Sequence, residues 1–303
     1  MLSLLEKIPA PLISALARAV DSTAAARHIL DWRVKRWRGR KIDWKNPRDL
    51  FDELAAYYID TTSTGEGMSL FAKLADKIAV RDHVSALCPD LKMAGLLGTW
   101  EHSSQIDWDS LPDRFVLKTN HGCGTNIIVT DRNSLDRQAT GRRLESWLKF
   151  PYGPLSGQRH YSRINPLIFA EEYLDSGNDA LPVDYKIYCV QGEPIMMVAF
   201  AERVVNGHLC ATTPYRPDGT LIPDAVRNPR QGGPTPLPES YGKMLDYARS
   251  LSKGLKICRI DFYQINGQPY FGEITLFPDL VLVFNEEFLV SERQRLKSLG
   301  KLN

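Results

Sequence analysis

The sequence predicts an α+β fold, with helices first and antiparallel sheets after. Three observations carry that prediction. Apolar residues recur at helical spacing through the first hundred residues, as in Leu50-Phe51-Leu54-Ala55-Tyr58 and Leu70-Phe71-Leu74-Ile78. From Phe115 the character changes to short β-rich runs at 115–118, 126–130, 167–172, 185–190, 195–200, 257–263 and 270–275. Helical stretches return near 133–149, 239–253 and 285–298.

At 303 residues the chain has room for two compact bodies, and 43% hydrophobic with 24% charged residues excludes disorder, collagen and coiled coil. The expected division is a helical N-terminal region over 1–75, a part over 76–180 carrying a glycine-rich hairpin, and a part over 181–303 carrying an acidic hairpin. The apolar N-terminus is interrupted by Pro9 and Pro11, with Glu6 ahead and Arg18 behind. It reads as a packing or surface helix rather than a signal peptide, with a membrane-contacting helix as the alternative. No run approaches the roughly 18 apolar residues of a membrane span. Cys88, Cys123, Cys189, Cys210 and Cys258 are odd in number and widely spaced, without a C-x-x-C pair. That argues against a disulfide framework or zinc site and fits a reducing cytoplasm.

The net charge of +2 hides an asymmetry, because residues 32–41 (WRVKRWRGRK) hold six Arg/Lys and no acid, leaving −4 on the rest. The segment Arg33–Lys41 reads as a contact for an anionic polymer or a membrane surface, and no nucleic-acid partner is expected. The alternative is a solvated basic helix that packs Trp32 and Trp37, taken as lying close to one side. Two loops rich in Gly, Pro and Arg, 151–166 and 228–238, read as functional lids.

Residues 115–129 (FVLKTNHGCGTNIIV) read as strand, small flexible loop, strand. A P-loop would need its Lys after the glycines, and a dinucleotide fingerprint would need a third glycine and a helix. The backbone N–H groups of Gly122 and Gly124 can still approach phosphate oxygens, with Lys118 adding a point charge. A plain glycine turn is the alternative. His121 reads either as a phosphate contact or as a turn histidine.

Residues 259–275 (RIDFYQINGQPYFGEIT) read as a β-hairpin with Asn-Gly at its turn. Register decides the chemistry. A two-residue loop at Asn266-Gly267 pairs Asp261 with Gly272 and sends Glu273 to the opposite face. A three-residue loop pairs Asp261 with Glu273 and Arg259 with Thr275. Facing carboxylates repel, so they make sense around a divalent cation, Mg²⁺ or Mn²⁺ for oxygen-only ligands. The alternative is a pair of acids on a solvated face. Arg259 shares a face with Asp261, as a transition-state charge or a structural ion pair, and Arg203 is a weaker candidate of the same kind.

Phe71 to Arg81, Phe115 to Val129, Ala170 to Leu174, Asp184 to Cys189 and Tyr270 to Thr275 occur in an order that resembles the TupA-like ATP-grasp family, which is associated with teichuronopeptide and other surface-polymer biosynthesis. The resemblance covers roughly residues 40–280. It implies two α+β subdomains clasping ATP between antiparallel sheets. Lys77 and Lys118 would be the ATP lysines, and the loop from Asn120 to Thr125 would close over the phosphates. Glu171, with the backbones of Glu172 and Leu174, would read adenine. Asp184 would contact ribose, Lys186 would point toward the phosphates, and Asp261 and Glu273 would hold Mg²⁺. The superfamily's usual E-x-N ending here reads Glu273-Ile274-Thr275.

The implied chemistry is activation of a carboxylate to an acyl phosphate by ATP, then attack by an amine to form an amide. The acceptor carboxylate would be a uronic acid of a surface polysaccharide, and Lys118 and Arg259 would carry phosphoryl transfer. The rival readings are a kinase on the same fold acting on a sugar or alcohol, a non-catalytic nucleotide-binding partner in polymer assembly, and a glycosyltransferase. The last lacks a supporting Asp-x-Asp motif.

Overall fold

The computed structural model describes residues 17, 19–177, 181–202 and 211–302. The N-terminal segment 1–16, Arg203 and Cys210 therefore lie outside the described residues. In chain order the helices of eight or more residues, among the described residues, are α1 (Thr23–Arg38), α2 (Leu50–Thr62), α3 (Gly65–Ala75), α4 (Val80–Leu87), α5 (Arg137–Lys149), α6 (Tyr241–Ser252) and α7 (Glu286–Ser298). The strands are β1 (Lys92–Met93), β2 (Leu96–Trp100), β3 (Phe115–Thr119), β4 (Asn126–Val129), β5 (Ile168–Glu172), β6 (Asp184–Val190), β7 (Glu193–Ala201), β8 (Ala211–Tyr215), β9 (Ile257–Ile265) and β10 (Gln268–Thr275).

Among the described residues, two compact units are assembled from interleaved stretches: those up to 30, 62–80 and 94–173 form the first, and those of 31–61, 81–93 and from 174 on the second. The N-terminal helices thus contribute to both. In the first unit a four-stranded antiparallel sheet has the order β2-β5-β3-β4. Phe115, Leu117 and Thr119 of β3 are buried on one face, with Val116 and Lys118 on the other, as period-2 geometry requires. The inward face packs with Val129, Ile168 and Ala170 against Leu144 and Trp147 of α5. That helix starts where the Asp136 carboxylate accepts from the Ala139 N–H at 2.8 Å.

The second unit holds a six-stranded sheet of order β1-β10-β9-β6-β7-β8. β1 lies parallel to β10 at one edge, and the remaining pairs are antiparallel. α6 packs on β6, β7 and β9, burying Met244, Leu245, Ala248 and Leu251. Cys258, Ile260 and Phe262 of β9 are buried on one face, with Arg259, Asp261 and Tyr263 on the other.

Several expectations change. β1 and β2 fall in the region read as helical, because two residues, or five interrupted by Gly98, show no usable period. β8 was not foreseen, since its Pro214 argues against a strand; it survives because β8 is an edge, where a missing N–H is tolerated. Loop 151–166 contains short helical turns at Tyr152–Ser156 and Arg159–Arg163.

The basic segment is only partly a surface. The Arg38 side chain is 1% exposed; it pairs with Asp49 and reaches Glu286 at 3.1 Å. Arg40 reaches Asp49 at 2.6 Å and Asp52 at 3.0 Å, and Arg33 reaches Asp279 at 3.4 Å. Trp32 and Trp37 do not pack; they are 59% and 56% exposed. Five residues at 100° each set them about 140° apart, so they do not lie close to one side. Among the described residues no helix is long and apolar enough to cross a membrane.

Candidate functional site

In the first unit, β3 and β4 pair directly, Lys118 opposite Asn126, and the loop between them carries Gly122 and Gly124 at φ of 78° and 74°. That left-handed backbone favours glycine. At Gly122 there is a second reason, because a Cβ would come within 3.2 Å of the Tyr152 ring. Lys118 points away from the core and meets Glu171 in an ion pair. The pairing follows from register: Lys118 sits opposite Phe169 and Val116 opposite Glu171, which makes Lys118 and Glu171 diagonal neighbours on one face.

Lys77 departs from expectation. It lies in the turn between α3 and α4 rather than on a helix, because the Asp76 carboxylate accepts from the N–H of Ile78 at 2.8 Å and of Ala79 at 3.2 Å. From that turn its ammonium donates to the Gly122 carbonyl at 2.7 Å, and its N–H donates to Asn120 O at 3.1 Å. Asn120 and Asp76 were not singled out by sequence. The fully buried Asn120 amide donates to Asp76 at 3.1 Å and Asn165 O at 3.0 Å and accepts from the Leu167 N–H at 2.8 Å, fixing the start of the loop. His121 is 5% exposed. Burial, and then the nearby Lys77 charge, push its pKa down to about 4, so the ring is neutral at neutral pH. At the end of β5, the Glu172 N–H donates to Gly95 O at 2.9 Å, and its carboxylate accepts from the Gly95 N–H at 2.9 Å. Leu174 is half-buried and begins the second unit.

In the second unit, three neighbouring strands align their polar residues in rows. Lys186 of β6, Asp261 of β9 and Glu273 of β10 are direct partners across the sheet, and Tyr188, Arg259 and Thr275 form the next row. The hairpin register arises by a route neither simple loop predicted. The turn is the two-residue Asn266-Gly267, with φ of 50° and 72°. A bulge at Gly272 then shifts the pairing by one residue, bringing Glu273 opposite Asp261. A Cβ at position 272 would lie 3.0 Å from Asp261 O, so glycine permits the close approach.

The charges on this face are tightly tied. Arg259 donates to both Asp261 carboxylate oxygens at 2.6 Å, to Glu273 Oε1 at 3.2 Å and to Thr275 Oγ1 at 3.0 Å. Lys186 reaches Asp184 and Asp261, both at 2.6 Å. Burial alone would raise the pKa of Asp261, which is 2% exposed, but Arg259 and Lys186 hold it below the ordinary carboxylate value. Burial and Arg259 oppose the Lys186 charge, yet Asp184, Asp261 and Glu273 raise its pKa above the usual lysine value. Tyr188, missed by sequence although it follows Asp184 and Lys186 at period 2, is buried with its pKa pushed up to about 12. Thr275 donates to Glu273 Oε1 at 3.1 Å, which makes it a bridge between Arg259 and Glu273.

The donor set suits a hard divalent cation: two facing carboxylates, all oxygen, on one sheet face. The acids Asp184, Asp261 and Glu273 outnumber the cations Lys186 and Arg259 by three to two, leaving the face one charge negative. Among the described residues no three His, Cys, Asp or Glu side chains converge as a metal cage. Mg²⁺ needs none, since it commonly takes one or two carboxylates plus the phosphates of a substrate.

The family model described as TupA-like ATPgrasp matches residues 63–289. Among solved structures, the chain is similar to a D-alanine–D-alanine ligase from Bacillus anthracis complexed with ATP, at 13% identity and a TM-score of 0.42, over 76% of this chain and 62% of that one. It is similar to a D-alanyl-alanine synthetase A from Vibrio cholerae at 12% identity and a TM-score of 0.44, over 76% of this chain and 66% of that one. The D-cycloserine synthetase DcsG is similar at 12% identity and a TM-score of 0.44, over 86% and 87% of the two chains. The chain thus spans less than two thirds of the length of the first two. No curated protein matches the sequence.

Proposed function

The chain belongs to the TupA-like ATP-grasp family, and on that premise we propose that it is an ATP-dependent carboxylate–amine ligase. The observation that carries the reading is the row Lys186–Asp261–Glu273, flanked by Arg259 and Thr275, on one face of the second unit's sheet. Such a face has a use for phosphoryl transfer: acids to hold Mg²⁺ and cations to meet developing negative charge.

In this reading the loop from Asn120 to Thr125, with Lys77 and Lys118, binds phosphate oxygens. Glu171 orients Lys118 and meets the adenine amine, beside the backbones of Glu172 and Leu174. Asp184 contacts ribose. Asp261 and Glu273 hold Mg²⁺, which supplies neutralisation of the nucleotide phosphates when bound. Lys186 and Arg259 exchange part of their carboxylate contacts for the transferring phosphoryl group. The acceptor's carboxylate oxygen attacks the γ-phosphorus and ADP leaves as the acyl phosphate forms. An amine nitrogen then attacks the acyl carbon, phosphate leaves, and an amide and a proton result. Positioning and electrostatics account for most of the rate, as in phosphoryl transfer generally.

The acceptor carboxylate is a uronic acid or similar sugar acid of a surface polymer and the amine an amino acid, with the work done on the cytoplasmic side. A mass-spectrometric screen of amino acids against uronic-acid glycans with Mg·ATP tests this. The reading expects an adduct of the mass of amide condensation; a sugar gaining only the mass of a phosphoryl group would replace it with a kinase.

A further inference from the structure

The second unit carries a surface that the nucleotide chemistry does not use. On the last two turns of α1 and the residue run after it, Trp32, Lys35, Arg36, Trp37 and Lys41 are all exposed. The other basic residues of this segment face inward or sideways, where Asp49, Asp52, Glu286 and Asp279 take Arg38, Arg40 and Arg33. Internal pairing thus sorts the basic tract into a buried half that builds the fold and an outer half whose charge faces water.

The outer half has a definite layout. Trp32 has Lys35 and Arg36 as its helical neighbours at i+3 and i+4, so indole and cations share one patch. Trp37 lies round the helix on the far flank of Arg36, with Lys41 beyond the chain turn at Gly39, whose φ is 69°. The result is an exposed strip in which Trp32 stands between Lys35 and Arg36 round the helix, with Trp37 beyond Arg36. Helix-end cations suit the negative end of the α1 dipole, which accounts for Lys35 and Arg36 but not for two indoles more than half exposed.

We propose that this strip docks the protein on an anionic lipid bilayer. Indoles settle at the headgroup level of membranes, and exposed Lys and Arg are drawn to acidic lipid over a Debye length. Indoles exposed beside cations favour a bilayer, whose interface takes both, over an anionic polymer, for which the cations alone would suffice. The inference is independent of the ligase reading, and none of its residues belongs to the nucleotide or metal face.

The test is co-sedimentation of the full chain with vesicles of phosphatidylcholine alone and of phosphatidylcholine with phosphatidylglycerol, at low and high salt. Binding should require the acidic lipid and weaken with salt. Each charge removed lowers partitioning about fivefold, so Lys35→Gln/Arg36→Gln/Lys41→Gln together should lose on the order of 100-fold. Trp32→Phe/Trp37→Phe should remove the quenching of protein fluorescence by brominated lipid. Circular dichroism and ATP binding should match the wild type in both variants. Absence of vesicle binding, vesicle binding unchanged in the charge variant, or retention on polygalacturonate without vesicle binding would each overturn the proposal.

Discussion

Arg38 and Arg259 are both buried in ion pairs, but what each holds is different. Arg38 closes a structural network around Asp49 and Asp52, which are fully buried. Removing one partner of such a network strands the others, so Arg38→Leu should lose about 3–5 kcal/mol in urea unfolding. The exposed Arg36→Gln should stay within about 0.5 kcal/mol of wild type. Arg259 uses the fork of its guanidinium on Asp261, Glu273 and Thr275 together. A lysine keeps the charge and loses the fork. Arg259→Lys should therefore lower ADP release about 100-fold while ATP affinity, read by equilibrium dialysis, changes by less than about tenfold. Two histidines of the first unit add a pH dependence. Burial lowers His121 to about 4 and His160 to about 3, below the ordinary 6.5. Between those values and 6.5 the unfolded chain binds protons that the folded one does not, so stability should fall as pH drops below 6.5. Urea midpoints at pH 7 and pH 4.5 should differ less in His121→Gln than in wild type.

The hairpin β9–β10 shows how an element can be legible in outline and hidden in detail. Asn266-Gly267 announces the turn, and alternation announces the strands. The pairing of Asp261 with Glu273, however, depends on a bulge, and a bulge leaves only a faint mark: a glycine inside a strand, Gly272. Gly272→Ala should bring its Cβ against Asp261 O, lose about 1–3 kcal/mol and abolish ADP release by displacing Glu273. Urea unfolding and a coupled ADP assay check the two parts separately. The turn at Lys77 was obscured for a related reason. Helical spacing of Leu70, Phe71, Leu74 and Ile78 runs through it, while the Asp76 side chain, capping Ile78 and Ala79, stops the helix at Ala75. Local chemistry overrode period there. The basic tract was obscured in part by distance: Asp49 and Asp52 are near in sequence, but Asp279 lies 246 residues beyond Arg33 and Glu286 248 beyond Arg38.

At the scale of the molecule, the order of motifs along the chain was the most legible feature, because each is a strand or turn whose chemistry is local. The interleaving of the two units was not legible, because stretches such as 62–80 and 81–93 join different bodies with no change of composition between them. The near-neutral total charge likewise resolves into separate groups: acids and cations locked on the sheet face, Arg33, Arg38 and Arg40 locked in ion pairs, and a cationic strip outside. The central proposal is that the sheet face carrying Lys186, Arg259, Asp261 and Glu273 activates a carboxylate. The most direct measurement is hydroxylamine trapping with Mg·ATP and a panel of uronic acids, using purified wild-type and Asp261→Asn protein. The account predicts hydroxamate matched by ADP in the wild type and at least about 100-fold less of both in the variant. A phosphorylated sugar with no hydroxamate, or hydroxamate formed equally by Asp261→Asn, would contradict it.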